Sequence, residues 1–344
     1  MSRCPKLLRW IGSAVLALAG SPSGVAGPHA GEAHILPSGS VRSEAARTVL
    51  PTRFVPYETR RFVVFSDASP RWTRLQMARL ERAHHQFHRF LDRLGTTPGP
   101  LRHKLVCVLF ATRDDFIEFA RSHDGVVASW ILGYFSPRND RIVFYHGAET
   151  LEEEDEFADL RATATTIHEA VHQLSFHTGL QSVHINYPLW ICEGLAAAFE
   201  TANPDAAFGP AYEFAPRRHR FEQMLAGNRL MPLDRLVRLD HFPDERAETV
   251  QTIYNQSYAL VVWLARHRRD ELRAYFAAMR AETPGRPTGD RHHAIFTAAF
   301  GPPAQLERTW LRHEHARVGP GAPPLDGALA GVVCQRVEFP EMIP

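Results

Sequence analysis

The stretch His168-Glu169-Ala170-Val171-His172-Gln173 decides how this chain is read. Residues at i and i+4 share one face of a helix, with their Cβ atoms roughly 5–6 Å apart. His168 and His172 therefore aim two ring nitrogens at one point, as a tetrahedral metal ion requires. Glu169 projects to the side, where it reaches a metal-bound water rather than the metal. Two ligands beside a general base is the arrangement of metal-assisted hydrolysis. The pattern is short, and the chain carries 19 histidines in 344 residues, so its surroundings must carry the decision. The helix that bears it is predicted from about Phe157 to Phe176, with Gly179 as its terminator.

A hydrolytic metal takes three protein ligands and keeps the fourth position for water. A third histidine six residues beyond the second is one solution. Thr178 stands there, and Ser175 stands where the intervening glycine belongs, so that solution fails. A carboxylate on the next helix is the other. Pro188 opens a helix through Glu200, as proline does in a first turn. Within it, Trp190-Ile191-Cys192-Glu193-Gly194-Leu195-Ala196-Ala197-Ala198-Phe199-Glu200 places Glu193 in mostly apolar surroundings. An unpaired carboxylate there is costly to bury, so a metal ion or a basic partner must compensate it. Glu200, two turns further on roughly the same face, either orients a metal-bound histidine or is an exposed helix end.

The combination of His-Glu-x-x-His-Gln at 168–173 with Trp-x-x-Glu-Gly-x-Ala at 190–196 resembles the gluzincin metallopeptidases. Within them it is most similar to the alanyl aminopeptidase and leukotriene A4 hydrolase branch, and to small secreted bacterial domains that share that catalytic core. The resemblance runs from about residue 130 to 265. It implies a thermolysin-like catalytic core, with one zinc ion held by His168, His172 and Glu193 and with Glu169 as base. Tyr254-Asn255-Gln256-Ser257-Tyr258 is similar to the helix of that branch whose first tyrosine stabilises the transition state. Tyr254 matches that tyrosine; Tyr258, one turn on, is the alternative oxyanion donor. A phenol suits the task, because peptide hydrolysis needs a donor where the carbonyl oxygen becomes negative. Arg141-Ile142-Val143-Phe144-Tyr145 reads either as the edge strand that pairs with an extended peptide in thermolysin-like folds or as an ordinary sheet strand. The Gly-x-Met-Glu-Asn segment that binds a free amino terminus in those aminopeptidases is absent from the sequence. Exo- and endopeptidase action therefore both stay open.

Around this centre the chain reads as α+β: a strand-bearing N-terminal lobe with the active-site helices, then a helical C-terminal lobe. Residues 1–27 have the basic start, short apolar stretch and small-residue end of a signal peptide. Residues 28–52 read as a flexible linker and 319–344 as an irregular tail. The domain between spans 53–318, mixed to about 180 and helical from about 181. Strands are expected at 61–65, 105–110, 131–135 and 141–145, the last two around the turn-rich 136–140. Pro70 opens an amphipathic helix to about Leu94, and a short helix covers Asp114 to Ser122. Further helices fall near 213–226, 248–268, 270–282, 291–300 and 303–317. His84 and His88 share a face of the early helix, but no carboxylate or third ligand accompanies them, so packing or solvated roles are expected. His177 and His184 have no ligand spacing. The acidic run Glu152–Glu156 suits a helix start, where the dipole favours carboxylates.

Thirty-nine basic and 38 acidic residues leave a net charge of +1, so no nucleic-acid partner is expected. Cys107, Cys192 and Cys334 remain after the leader, an odd and scattered set that reads as small packing or tail residues. The expectation is a secreted zinc-dependent metallopeptidase, periplasmic or extracellular, with a peptide or protein substrate and no membrane span in the mature chain. It would hydrolyse peptide bonds through a Glu169-activated, zinc-bound water. The alternatives are a non-catalytic exported zinc-binding domain of peptidase fold and a zinc hydrolase of a non-peptide substrate. Oligomeric state stays open.

Overall fold

The structure, a computed structural model, describes residues 40–126, 131–146, 156–244 and 246–318. The expected signal peptide, the first part of the expected linker, most of the acidic run and the expected tail lie outside the described residues.

Apolar runs of five and six residues form β2 (Phe62–Ser66), β3 (Leu105–Phe110) and β5 (Arg141–Tyr145), as expected for strands buried on both faces. They lie parallel, with Val64 opposite Cys107 and Cys107 opposite Ile142. Antiparallel strands flank them: β1 (Val55–Glu58) beside β2, and β4 (Gly133–Ser136) beside β5. The five-stranded order is β1-β2-β3-β5-β4. Arg141–Tyr145 is thus an interior strand, and the edge beside the helix that bears His168 and His172 is β4. Strand order depends on which hairpin arm finds β3, and a local pattern does not record that.

Alternation along the strands divides their side chains between two cores. Phe62, Val64, Leu105, Cys107, Leu109, Ile142 and Phe144 face α2 (Pro70–Leu94) and α4 (Glu156–His177). Val63, Phe65, Val106, Val108, Phe110 and Val143 face the other way, against α1 (Val41–Val49) and α3 (Arg113–Phe119). α1 corrects the linker reading for part of 28–52. Ser40 and Ser43 form a reciprocal cap at its start, and Ala46, Leu50 and Phe54 bury themselves against the sheet. The signal is brief and sits in a Ser- and Ala-rich composition that masks it. Asp124, just beyond α3, accepts hydrogen bonds from Tyr134, Ser136, Asn139 and Arg141, and so pins the β4–β5 hairpin.

The remaining chain is helical: α5 (Leu189–Ala197), α6 (Ala215–Ala226), α7 (Leu233–Leu236), α8 (Ala247–His267), α9 (Arg269–Arg280), α10 (Gly289–Phe300) and α11 (Pro303–Val318). The described residues are therefore mixed α and β, with strands first and helices after, which is compatible with an α+β fold. The two expected lobes share one core, which runs from Phe87 and Leu91 on α2 through Trp190 and Ile191 to Leu260, Tyr275 and Phe296. Among the described residues no helix is long and apolar enough to cross a membrane. Cys107 and Cys192 are free thiols, and burial raises both above their ordinary pKa.

Candidate metal centre

The site is assembled from four helices, α4, α5, α6 and α8, and the edge of the sheet. α4 lies against the sheet because β4 lets it: a Cβ on Gly133 would meet Phe144 Cβ and Thr165 Cγ2 at 2.9 Å. α5 approaches α8 just as closely, since a Cβ on Gly194 would lie 2.6 Å from the Ser257 carbonyl oxygen. Glycine is required at both crossings. The second sets Glu193 beside Tyr254. Gly179, with φ 73°, ends α4.

His168 Nε2 lies 3.2 Å from His172 Nε2 and 3.2 Å from Glu193 Oε2, and His172 Nε2 is 3.7 Å from that same oxygen. These three residues form a group able to hold a metal ion. Two imidazole nitrogens and a carboxylate oxygen are a donor set suited to zinc. The arrangement calls for positive charge at its centre. Burial pushes the Glu193 carboxyl up, yet His172 and His168 bring it well below the usual range. Burial likewise works against an imidazolium at His168, but the hydrogen bonds with Glu193 and Glu200 raise its pKa to about 10.

Glu200 is not an exposed helix end. It is buried, and its Oε1 lies 3.0 Å from His168 Nδ1, which fixes the ring with Nε2 turned toward Glu193. Its other partner is Arg217, at the start of α6. Arg217 donates from Nε to Oε2 and from Nη2 to Oε1, each at 2.8 Å. Burial raises the Glu200 carboxyl, but Arg217 and His168 hold it at about 2. Nothing in the local sequence marks Arg217, which is brought in by the chain reversal after α5.

Glu169 turns toward the edge strand, where the Phe135 backbone hydrogen-bonds it. Burial raises its pKa, and the two histidines partly offset that rise. A base held above the ordinary carboxylate range is suited to accept and return a proton. Tyr254 lies against the group: its ring centroid is 5.9 Å from that of His168, and the Arg217 guanidinium sits 5.2 Å from the centre of its ring. Burial, with the carboxylates of Glu193 and Glu169, pushes its phenol well above 10, so it remains a proton-bearing donor. Tyr258 is placed elsewhere. Its hydroxyl accepts from the Phe214 N–H at 2.9 Å and faces the Phe214 carbonyl at 3.4 Å, so it anchors the chain entering α6.

Residues 162–285 match a family model described as a protein of unknown function (DUF1570). The matched span holds His168, Glu169, His172, Glu193, Glu200, Arg217 and Tyr254. No curated protein matches the chain.

Proposed function

We propose that the chain is a zinc-dependent metallopeptidase with a thermolysin-like core of gluzincin type, exported through its N-terminal leader. The observation that carries this reading is the convergence of His168 Nε2, His172 Nε2 and Glu193 Oε2 next to the separate carboxylate of Glu169. His168, His172 and Glu193 would hold the ion. When bound, zinc supplies a Lewis acid that polarises water and the scissile carbonyl.

This chain's own groups supply the rest. Glu169 takes a proton from the attacking water and delivers it to the departing amine, so the carboxylate ends the cycle as it began. Tyr254 donates its hydroxyl to the carbonyl oxygen as negative charge develops there. Glu200 and Arg217 keep the His168 ring from turning. An extended peptide would pair with β4, the antiparallel edge beside Glu169, by adding one more strand.

Purified protein incubated with a peptide library, in parallel with Glu169→Gln and with a chelator, tests the reading. The wild type should cleave, the chelator should abolish cleavage, and Glu169→Gln should keep its zinc while losing about 10³-fold in rate. Undiminished cleavage by Glu169→Gln would sink the mechanism. Bound zinc without cleavage of any peptide would point to a binding domain, and turnover of small esters alone to a non-peptide substrate.

A further inference from the structure

Among the described residues one other set of ligand atoms converges. His103 stands in the loop before β3, Asp140 ends the turn between β4 and β5, and His177 is the last residue of α4. His177 Nε2 lies 2.8 and 2.9 Å from the two Asp140 carboxylate oxygens, and His103 Nε2 lies 3.5 Å from Oδ2. The two rings meet edge to face at 5.4 Å, and both present Nε2 to the one carboxylate. All three ligand atoms fall within 4.8 Å of one another.

A hydrogen-bonded triad would account for His177 but not for His103, whose Nε2 is shielded from solvent without a hydrogen-bond partner. A divalent ion accounts for both. Bonds of roughly 2.0–2.2 Å to nitrogen and oxygen place tetrahedral ligand atoms roughly 3.3–3.5 Å apart, a small adjustment from these distances. The carboxylate is also held by the Gln173 amide, which donates to Asp140 Oδ1 at 3.4 Å and to the Asp140 carbonyl at 3.2 Å. Such outer hydrogen bonds orient metal ligands. Burial raises the Asp140 carboxyl, but the imidazoles of His103 and His177 beside it bring its pKa to about 2. Side-chain exposures of 27, 16 and 16 % leave a way in from solvent.

We propose that His103, Asp140 and His177 bind a second divalent ion of the zinc class, which fastens the β4–β5 turn to the end of α4. Imidazole favours zinc and its late first-row neighbours over magnesium or calcium. His177 lies nine residues beyond His168, about 13 Å along the helix, so the two ions would be separate. The inference does not depend on peptidase activity.

The test is a count of bound ions. Chelator-stripped full-length protein is titrated with Zn²⁺ and assayed by elemental analysis, then titrated with Co²⁺ and followed by visible absorption. Wild type should take up two equivalents, His103→Ala one, His172→Ala one, and the double variant none. His177→Asn, read alongside, should also lose one equivalent, so the count does not hang on one substitution. Each variant's fold is checked by circular dichroism. One equivalent in the wild type, unchanged by His103→Ala and His177→Asn, would overturn this site while leaving the first intact. Loss confined to His172→Ala would do the same, whereas two equivalents unaffected by His172→Ala would instead count against the first.

Discussion

Two pairs of histidines sit at identical spacing on two long helices, and they have opposite characters. His84 and His88 on α2 stack with ring centroids 4.1 Å apart, and His168 and His172 on α4 meet edge to face at 4.9 Å. His84 and His168 are both buried, at 6 % and 7 % exposure. Burial pushes His84 down, and His88, Arg61, His85 and Arg60 push it further, to about 3. At His168 the same desolvation is outweighed by Glu193 and Glu200, and the pKa rises to about 10. Helix spacing supplies the geometry of a metal pair; a second helix bringing Glu193, and the turn after it bringing Glu200, supply its chemistry.

The sharpest way to break that contrast is to remove ligands from each pair. His172→Ala or Glu193→Ala should abolish metal binding at the first site, because two donors do not make a closed set. His84→Ala and His88→Ala should leave the metal count unchanged, at a stability cost of about 1–3 kcal/mol for the cavity. Metal analysis of the four purified variants decides the matter. Loss of an ion from either α2 variant would show that spacing alone had been enough.

How much of this was open to reading from the chain follows from where each signal lies. Ser69, Pro70 and Gly95 bound α2 by local rules, and the expected limits, Pro70 to Leu94, are the observed ones. Glu193 was legible because a carboxylate in an apolar helix demands a partner. Glu200 and Tyr254 were legible as candidates, but not the bonds they make. Arg217, the edge position of β4 and the meeting of His177 with Asp140 were out of reach. Each depends on segments joined by chain reversals, and no periodicity encodes which reversal ends beside which strand. Local composition misled at Val41–Val49, where a two-serine cap and the buried Ala46, with Leu50 and Phe54 just beyond, outweigh a linker-like sequence.

The two tyrosines of α8 offer the next test, since they too share a helix face but not an environment. Tyr254→Phe should lower kcat by about 10²–10³-fold with metal retained, the cost of removing one oxyanion donor. Tyr258→Phe should leave kcat near wild type and lower stability by about 1 kcal/mol, because it frees the Phe214 N–H. Equal kinetic losses in both would mean that α8 acts through packing alone. A smaller effect is expected at Glu200: Glu200→Gln should weaken metal affinity about 10–100-fold while Glu193 still ligates. Competition with a chelator of known affinity measures it, and an unchanged affinity would remove Glu200 from any role in orienting His168.

A comparable effect is expected with pH, and in it the histidine pairs should pull in opposite directions. In metal-stripped protein His84 folds neutral, with a pKa of about 3 against an ordinary 6.5. Its unfolded form binds a proton first as the solution is acidified. Its stabilising contribution is therefore present above pH 6.5 and is lost as pH falls toward 3, by about 2 kcal/mol between pH 6.5 and 4.5. His292, also buried and lowered to about 4, adds to the same limb. His168 has the reverse sign: its folded pKa of about 10 makes its contribution complete below 6.5 and lost as pH rises through 10. Denaturant midpoints across pH should thus fall on both sides, with His84→Leu flattening the acid limb and Glu200→Gln the alkaline one. An acid limb that persists in full in His84→Leu would assign it to His292 and the carboxylates. Added Zn²⁺ should erase the alkaline limb alone, because the ion takes the place of the proton that His168 would otherwise hold.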